Sequence, residues 1–278
     1  MRIGEYQDLR IARESPHGLY LEDEEGVEVL LPNSQRPARA HIDDVLKVFV
    51  YTDSEDRPVA TLKHPYATVG QFANLQAKSV TSAGAFLDWG LDKDLFCPIK
   101  EQRSPMREGD SYVVRVYLDQ VSGRVACSSK ITKFLDPEAE GLEPGQPIQI
   151  MVVAITPELI SVIIDDRVKG SLFRDEWHER LQVGDFREAF VKSIRREDRK
   201  IAVSLRPQGY EAILGERDKL LQALRMNGGS LPVTDKSSPD EIQRRFGLSK
   251  GAFKKLIGAL YKEGRIELDT HCIRLRGR

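Results

Sequence analysis

Gly109-Asp110-Ser111-Tyr112-Val113-Val114-Arg115-Val116-Tyr117-Leu118-Asp119 is the stretch on which the fold turns. Gly-Asp signals a turn. From there Tyr112, Val114, Val116 and Leu118 share one face, and Val113, Arg115 and Tyr117 share the other. A period of two is that of a β-strand. Gly123 sits in the hairpin that follows, and Val125 to Ser129 reads as the return strand.

The same pattern recurs on both sides. Shifted back by 66 residues, Asp110, Val114, Val116, Tyr117, Asp119 and Ala126 fall on Asp44, Val48, Val50, Tyr51, Asp53 and Ala60. Gly84-Ala85-Phe86-Leu87 falls on Gly18-Leu19-Tyr20-Leu21, and Pro98 on Pro32, with no gap. Shifted forward by 75, Gly109-Asp110 falls on Gly184-Asp185 and Val116 on Val191, and one inserted residue then brings Ala126 to Ala202. Such internal repetition means one unit built three times. Several short strands separated by turns predict a small closed barrel in each copy, and strand content alone fits a β-sandwich as well. The expected units are 1–64, 65–135 and 145–206, with a linker rich in Pro, Glu and Gly before the third.

Residues 210–278 read differently. Tyr210 to Asn227 predicts a helix with Ile213, Leu220, Leu221 and Leu224 on its inner face and Gly228-Gly229 at its end. Ser238-Pro239-Asp240-Glu241 is a helix start, with a capping Ser, Pro in the first turn and acids at the positive end of the dipole. Ser249 caps a third helix, Lys250 to Glu263, whose expected core stripe is Phe253, Leu256, Ile257, Leu260 and Tyr261. A hairpin of Arg265 to Leu268 and Cys272 to Leu275 follows. Helix, helix, short turn, helix and β-ribbon make a winged helix-turn-helix. The fold class is therefore mainly β with a C-terminal α+β domain, and 130–147 and 206–212 read as hinges.

Charge is unevenly placed along the 278 residues. Residues 1–64 hold 8 Lys and Arg against 13 Asp and Glu, whereas 206–278 hold 15 against 9. The C-terminal end is the one suited to phosphate. Cys97, Cys127 and Cys272 are an odd count without metal-ligand spacing, which fits a reducing cytoplasm. No secretory signal follows Met1, and the longest apolar stretch, Ile150 to Ile164, is too short and too interrupted to cross a bilayer. No catalytic or phosphate-loop motif occurs. Asp43-Asp44 and Asp165-Asp166 are paired carboxylates by sequence, with no nucleophile or metal ligands beside them. The expectation is a protein that is not an enzyme, with no cofactor, metal or membrane.

Val69-Gly70, Gly84-Ala85-Phe86-Leu87, Gly109-Asp110 and Val114 to Asp119, with Arg124 and Ser128, resemble the S1-type OB-fold family of RNA-binding domains. The third copy is similar through Val168-Lys169-Gly170-Ser171-Leu172, Val183-Gly184-Asp185 and Ile201 to Leu205. Three tandem S1-like OB barrels and a winged helix, in that order, resemble the conserved virulence factor B family of bacteria. The resemblance implies RNA binding and a regulatory role in gene expression. It also implies an RNA face with aromatics on the second and third strands, then an acidic and a basic residue at the last hairpin. Carried onto this chain, the second-strand aromatic is Tyr20 and Phe86, with Ser161 or Val162 in the third copy. The third-strand position is Pro32, Pro98 and Phe173. The acidic position is Asp53, Asp119 and about Arg196, and the basic one is Arg57, Arg124 and Lys200.

Single-stranded RNA offers base faces and a line of phosphates. Tyr20, Phe86, Trp89 and Phe173 are candidates to stack on bases. Arg124, Lys192, Arg195, Arg196 and Lys200 are candidates for phosphate, and Asp119 for a base amino group or 2′-hydroxyl. In the winged helix, Arg244, Arg245, Lys254, Lys255 and Arg274 extend the positive surface. Its third helix lacks the Arg, Asn and Gln that read base edges, which favours backbone binding. Bland readings stand beside each: Phe86 as core, Asp53 and Asp119 as turn residues, Phe173 as an anchor for the segment around Trp177. Trp89, between Asp88 and Gly90, is expected to be partly exposed. Three classes of function compete: an RNA-binding regulator, a DNA-binding transcriptional regulator using the winged helix, and an interaction scaffold contacting a ribosome or polymerase.

Overall fold

The computed structural model describes residues 1–137, 140–173, 180–195, 197, 199–207 and 209–276, with the side chains of 209–216 and 219 left aside. Arg196, a candidate above, lies outside the described residues. The first fifteen strands form three closed five-stranded barrels. Barrel 1 is β1 (Glu5–Ser15), β2 (Gly18–Glu22), β3 (Glu28–Pro32), β4 (Val45–Thr52) and β5 (Pro58–Thr61). Barrel 2 is β6 (Phe72–Val80), β7 (Gly84–Leu87), β8 (Leu95–Pro98), β9 (Ser111–Leu118) and β10 (Val125–Ser128). Barrel 3 is β11 (Pro147–Ile155), β12 (Leu159–Ile164), β13 (Val168–Phe173), β14 (Phe186–Ile194) and β15 (Ile201–Ser204). In each, the first strand pairs with the second and fourth, and the third pairs in parallel with the fifth. That is the OB circuit, and it leaves no open sheet edge.

The repeat extends to irregularities. Each first strand carries a bulge, between Ile11 and Arg13, Ala77 and Ser79, and Val152 and Ala154. The inserted residue in the third copy is also a bulge: between Val191 and Ser193 the register of β14 shifts, and the extra residue is Lys192. One sequence equivalence changes. Tyr51 pairs with Val59 but Tyr117 pairs with Ala126, so Ala126 corresponds to Val59 and not to Ala60. The turn from Asp119 to Arg124 is one residue longer than that from Asp53 to Arg57.

Alternation places one set of side chains inside each barrel. Leu9, Ile11, Leu19, Leu21, Leu31, Val48 and Val50 fill the first, and Ile150, Val152, Val162, Leu172 and Val191 fill the third. The core of the second continues into the first, because Phe49 and Tyr51 of β4 pack edge-on against Trp89 at centroid distances of 5.5 and 6.3 Å. The Trp89 Nε1–H donates to the Ala67 carbonyl at 2.7 Å. Trp89 is 2% exposed, which corrects the expectation of partial exposure. Its position between the end of β7 and the bend at Gly90 lets the large ring close the seam between two barrels instead of facing water.

Barrels 2 and 3 meet through a smaller cluster of Phe72, Met151 and Ile163, with Ile131, Phe134 and Leu135 against it. The start of the expected hinge at 130–147 is thus packed. The Arg115 guanidinium lies over the Phe72 ring and donates to the Asp166 carbonyl at 2.7 Å, while Asp166 Oδ1 accepts from the Phe72 N–H at 3.1 Å. Burial raises the Asp166 carboxyl above its ordinary range, and burial lowers the Arg115 guanidinium. Asp43, Asp165 and Asp166 have left-handed backbones, so the paired acids sit in tight turns.

In the C-terminal domain α1 (Gly209–Met226), β16 (Ser230–Leu231), α2 (Pro239–Phe246), α3 (Lys250–Lys262), β17 (Ile266–Leu268) and β18 (Ile273–Leu275) enclose one apolar core. Ser238 caps α2 by accepting from the Glu241 N–H, Ser249 caps α3 through the Ala252 N–H, and Gly247 closes α2 in the left-handed conformation. Strand β16 joins the ribbon as a third strand that the sequence did not announce. Tyr261 is 56% exposed, not core. Phe253, Leu256, Ile257 and Leu260 already fill the inner stripe, and the next residue is turned about 100° away from it. Among the described residues, no helix is long and apolar enough to cross a membrane.

Candidate nucleic-acid interface

Register equates the outer faces of the barrels residue by residue. On the second strand stand Tyr20, Phe86 and Ser161, and their partners on the third strand are Leu30, Phe96 and Ser171. Opposite on the first strand stand Arg13, Ser79 and Ala154. One row, built by the same topology, therefore carries three different chemistries.

In barrel 1 the Tyr20 ring is half-buried and its face is covered. The Arg13 guanidinium carbon lies 3.6 Å from the ring centroid. Glu28 holds that guanidinium by hydrogen bonds from Nε at 2.9 Å and Nη2 at 2.7 Å. The pairing holds the Glu28 carboxyl below the usual range. At the hairpin, Asp53 Oδ1 accepts from the Glu55 and Arg57 N–H groups and Oδ2 from the Arg57 guanidinium, so both family positions are spent on each other.

In barrel 2 the row is aromatic. Phe86 and Phe96, both half-buried, lie 5.0 Å apart with planes tilted by 41°. They line a groove of about 710 Å³ together with Asp119, Arg124, Lys93 and Lys100, and Ser54 and Asp56 of barrel 1 form part of its wall. Phe86 is therefore at the groove and not in the core. Asp119 Oδ1 accepts from the Val121 and Ser122 N–H groups, which hold its carboxyl below the usual range; it shapes the turn. Arg124 pairs with Asp56 across the two barrels. Lys93 donates to the Asp53 carbonyl at 2.6 Å, and its burial pushes the ammonium below the ordinary lysine range. Three carboxylates here face three cations, Asp56, Asp94 and Asp119 against Lys93, Lys100 and Arg124.

In barrel 3 the equivalent groove, of about 600 Å³, gathers Phe173, Arg195 and Lys200 with Lys169, Arg199, Ser161 and Ser171. Phe173, paired with Leu159, is 41% exposed. The Arg195 N–H bonds the Lys200 carbonyl as the Asp119 N–H bonds the Arg124 carbonyl. The acidic family position is thus Arg195 and not Arg196: beyond the Lys192 bulge the offset from the second copy is 76, which carries Asp119 onto Arg195. Lys192 itself is half-buried on β14 and does not line the groove.

On the winged helix, Lys254 and Lys255 are exposed on α3, with Lys254 at 3.9 Å from Asp235. Gly251 and Gly258 sit on the same face, and a Cβ on either would meet nothing within 4 Å. Arg244 is exposed on α2, Arg245 pairs with Glu241 at 3.4 Å, and Arg274 of β18 pairs with Asp269 at 3.2 Å. The candidates thus fall into three places, barrel 2, barrel 3 and the winged helix, with Tyr20 covered and Trp89 buried. Phe96, Lys93, Lys100 and Lys169 were missed by sequence reasoning. Phe96 carried a signal, since it alternates with the inward Leu95 and Cys97 on β8.

These features define a class: tandem OB barrels of S1 type followed by a winged helix, a nucleic-acid-binding architecture. Residues 3–63 match the S1 domain family and residues 218–275 the CvfB-like winged helix domain family. The uncharacterized protein YitL of Bacillus subtilis is 28% identical over 274 residues, 96% of this chain and 91% of its own length. Conserved virulence factor B of Staphylococcus epidermidis is 25% identical over 235 residues, 82% of this chain and 78% of its own. A solved multidomain protein with nucleic acid binding domains from Streptococcus pneumoniae is 25% identical, covers 98% of each chain and superposes with a TM-score of 0.41. The chain is a homologue of YitL and of the conserved virulence factor B proteins, along most of their length.

Proposed function

We propose that the chain is an RNA-binding regulator that holds single-stranded RNA by aromatic stacking and basic side chains and acts on gene expression after transcription. In this reading it is a cytoplasmic binding protein and not an enzyme, and 1–64, 65–135, 145–206 and 210–278 are its four units. The observation that carries it is the barrel 2 groove, where two rings with outward faces lie beside Arg124, Lys93 and Lys100. Rings stack on bases of any identity, and the cations take the phosphates between them. Barrel 3 supplies a second groove with Lys169, Arg195 and Lys200.

The test is fluorescence anisotropy of a labelled pyrimidine-rich RNA, matched single-stranded DNA and matched duplex, each at two salt concentrations. Tighter binding to RNA, weakening with salt by a slope that counts several phosphates, supports the reading. Preference for the duplex overturns it in favour of a DNA-binding regulator. That second reading draws on α3, whose two open glycines would let a phosphate backbone approach between Lys254, Lys255 and Lys262. Binding to none of the three, with a ribosome or polymerase co-purifying after nuclease treatment, would make the barrels a scaffold.

A further inference from the structure

We infer that Asp56, on the last hairpin of barrel 1, is a built-in competitor for phosphate in the barrel 2 groove: it holds Arg124, and a strand binds there by exchanging one of its phosphates for this carboxylate. The inference rests on the RNA reading above and concerns what a strand must displace to enter that groove.

Asp56 does not belong to the barrel whose groove it enters. It lies in the turn between β4 and β5, and its Oδ2 pairs with the Arg124 guanidinium, 68 residues further on in the turn between β9 and β10. The backbone equates the two turns. Asp56 precedes Arg57 with a φ of 65°, and Gly123 precedes Arg124 with a φ of 68°. Both are left-handed, a conformation that glycine adopts without steric cost and that aspartate tolerates. Barrel 2 thus has no side chain at the position from which barrel 1 extends a carboxylate. The two arginines are also held differently. Arg57 is held within its own turn by Asp53 and Glu55, each at 2.8 Å. In barrel 2 the Asp119 carboxylate accepts from the Val121 and Ser122 N–H groups of its turn, and Arg124 reaches across to Asp56.

The barrel 1 hairpin is tied down where the carboxylate meets the groove. Lys93 of barrel 2 donates to the Asp53 carbonyl at 2.6 Å, and its Nζ stands 3.7 Å from Asp56 Oδ1. Asp56 is therefore shared between a half-buried ammonium and an exposed guanidinium. When a phosphate takes Arg124, Lys93 still faces the carboxylate, so the exchange leaves no isolated charge. The pair that breaks is an exposed one, which contributes weakly and gives way readily.

The test is an anisotropy titration of a labelled uridine oligoribonucleotide with the full chain. Asp56→Asn is expected to raise affinity about two- to fivefold, the range an exposed ion pair sets. It should also steepen the salt dependence, by about 0.7 at most, because no freed carboxylate then reclaims the counterion that the phosphate releases. In an Arg124→Gln background the gain should vanish. Loss of a negative charge near the strand would act with or without Arg124, so this dependence separates exchange from a general charge effect. Asp56→Gly, which the left-handed backbone accepts, should reproduce the gain. Unchanged or weakened binding in a variant that melts like the parent, or a gain of equal size in the Arg124→Gln background, overturns the exchange. Failure of the unsubstituted chain to bind the probe would overturn the RNA reading itself.

Discussion

Barrels 1 and 2 share a topology, a bulge and a register, and they differ in what sits on one ring. In barrel 1, Arg13 covers Tyr20 and Glu28 fixes Arg13. In barrel 2 the residue in Arg13's place is Ser79, too short to cover anything, and Phe86 faces the groove beside Phe96. The same row is thus satisfied internally in one copy and left unsatisfied in the next. Duplicated units keep the scaffold through inward residues and vary function through outward ones, so the presence of an aromatic at a family position does not tell whether it is available.

The largest effect that separates the two barrels from their shared support is expected at the seam. Trp89→Ala removes a buried indole that packs on Phe49 and Tyr51, and should cost about 3–5 kcal/mol of stability in denaturant melts. An unchanged midpoint would mean that the barrels do not share a core. Next comes the comparison itself. Phe86→Ala should weaken pyrimidine-rich RNA by about 1–3 kcal/mol in anisotropy titrations, and Tyr20→Ala should leave it unaltered. Equal losses would show that Arg13 gives way to a base. Arg13→Ala sharpens the point from the other side: it uncovers Tyr20, and a gain in RNA affinity smaller than the loss at Phe86 is expected.

The smallest effect concerns the second junction, where a buried carboxyl stands beside the rings. Asp166 has its folded pKa raised by burial, so protonation favours the folded state. Its contribution is present in full below the unfolded carboxylate range and is lost as pH climbs through the folded value. Wild type should therefore lose stability from about pH 4 upward relative to Asp166→Asn, whose side chain still accepts the Phe72 N–H. Parallel pH profiles of thermal melts for the two proteins would contradict this.

The barrels were legible because strand alternation and the offset of 66 repeat in residues that face inward, where packing leaves little freedom. The winged helix was legible because Ser238, Pro239, Gly247 and Ser249 are local signals that need no tertiary partner. What failed were outward residues and insertions. Trp89 was misread because burial at a seam depends on Phe49 and Tyr51, forty residues or so earlier in the chain and in a different barrel. Ala60 was misaligned because a turn longer by one residue shifts the register without any change in composition. Arg13 was not considered, because its role depends on the strand pairing that sets it opposite Tyr20.

The seam at Trp89 and the junction at Asp166 have a consequence for avidity. On the proposed RNA reading, a strand end captured in one groove would be presented to the next by barrels packed on each other, and the second capture would be an intramolecular event. Its strength is set by an effective concentration and not by the bulk one. Affinity should then rise abruptly once a strand is long enough to reach both grooves, and change little with each nucleotide added before or after that length.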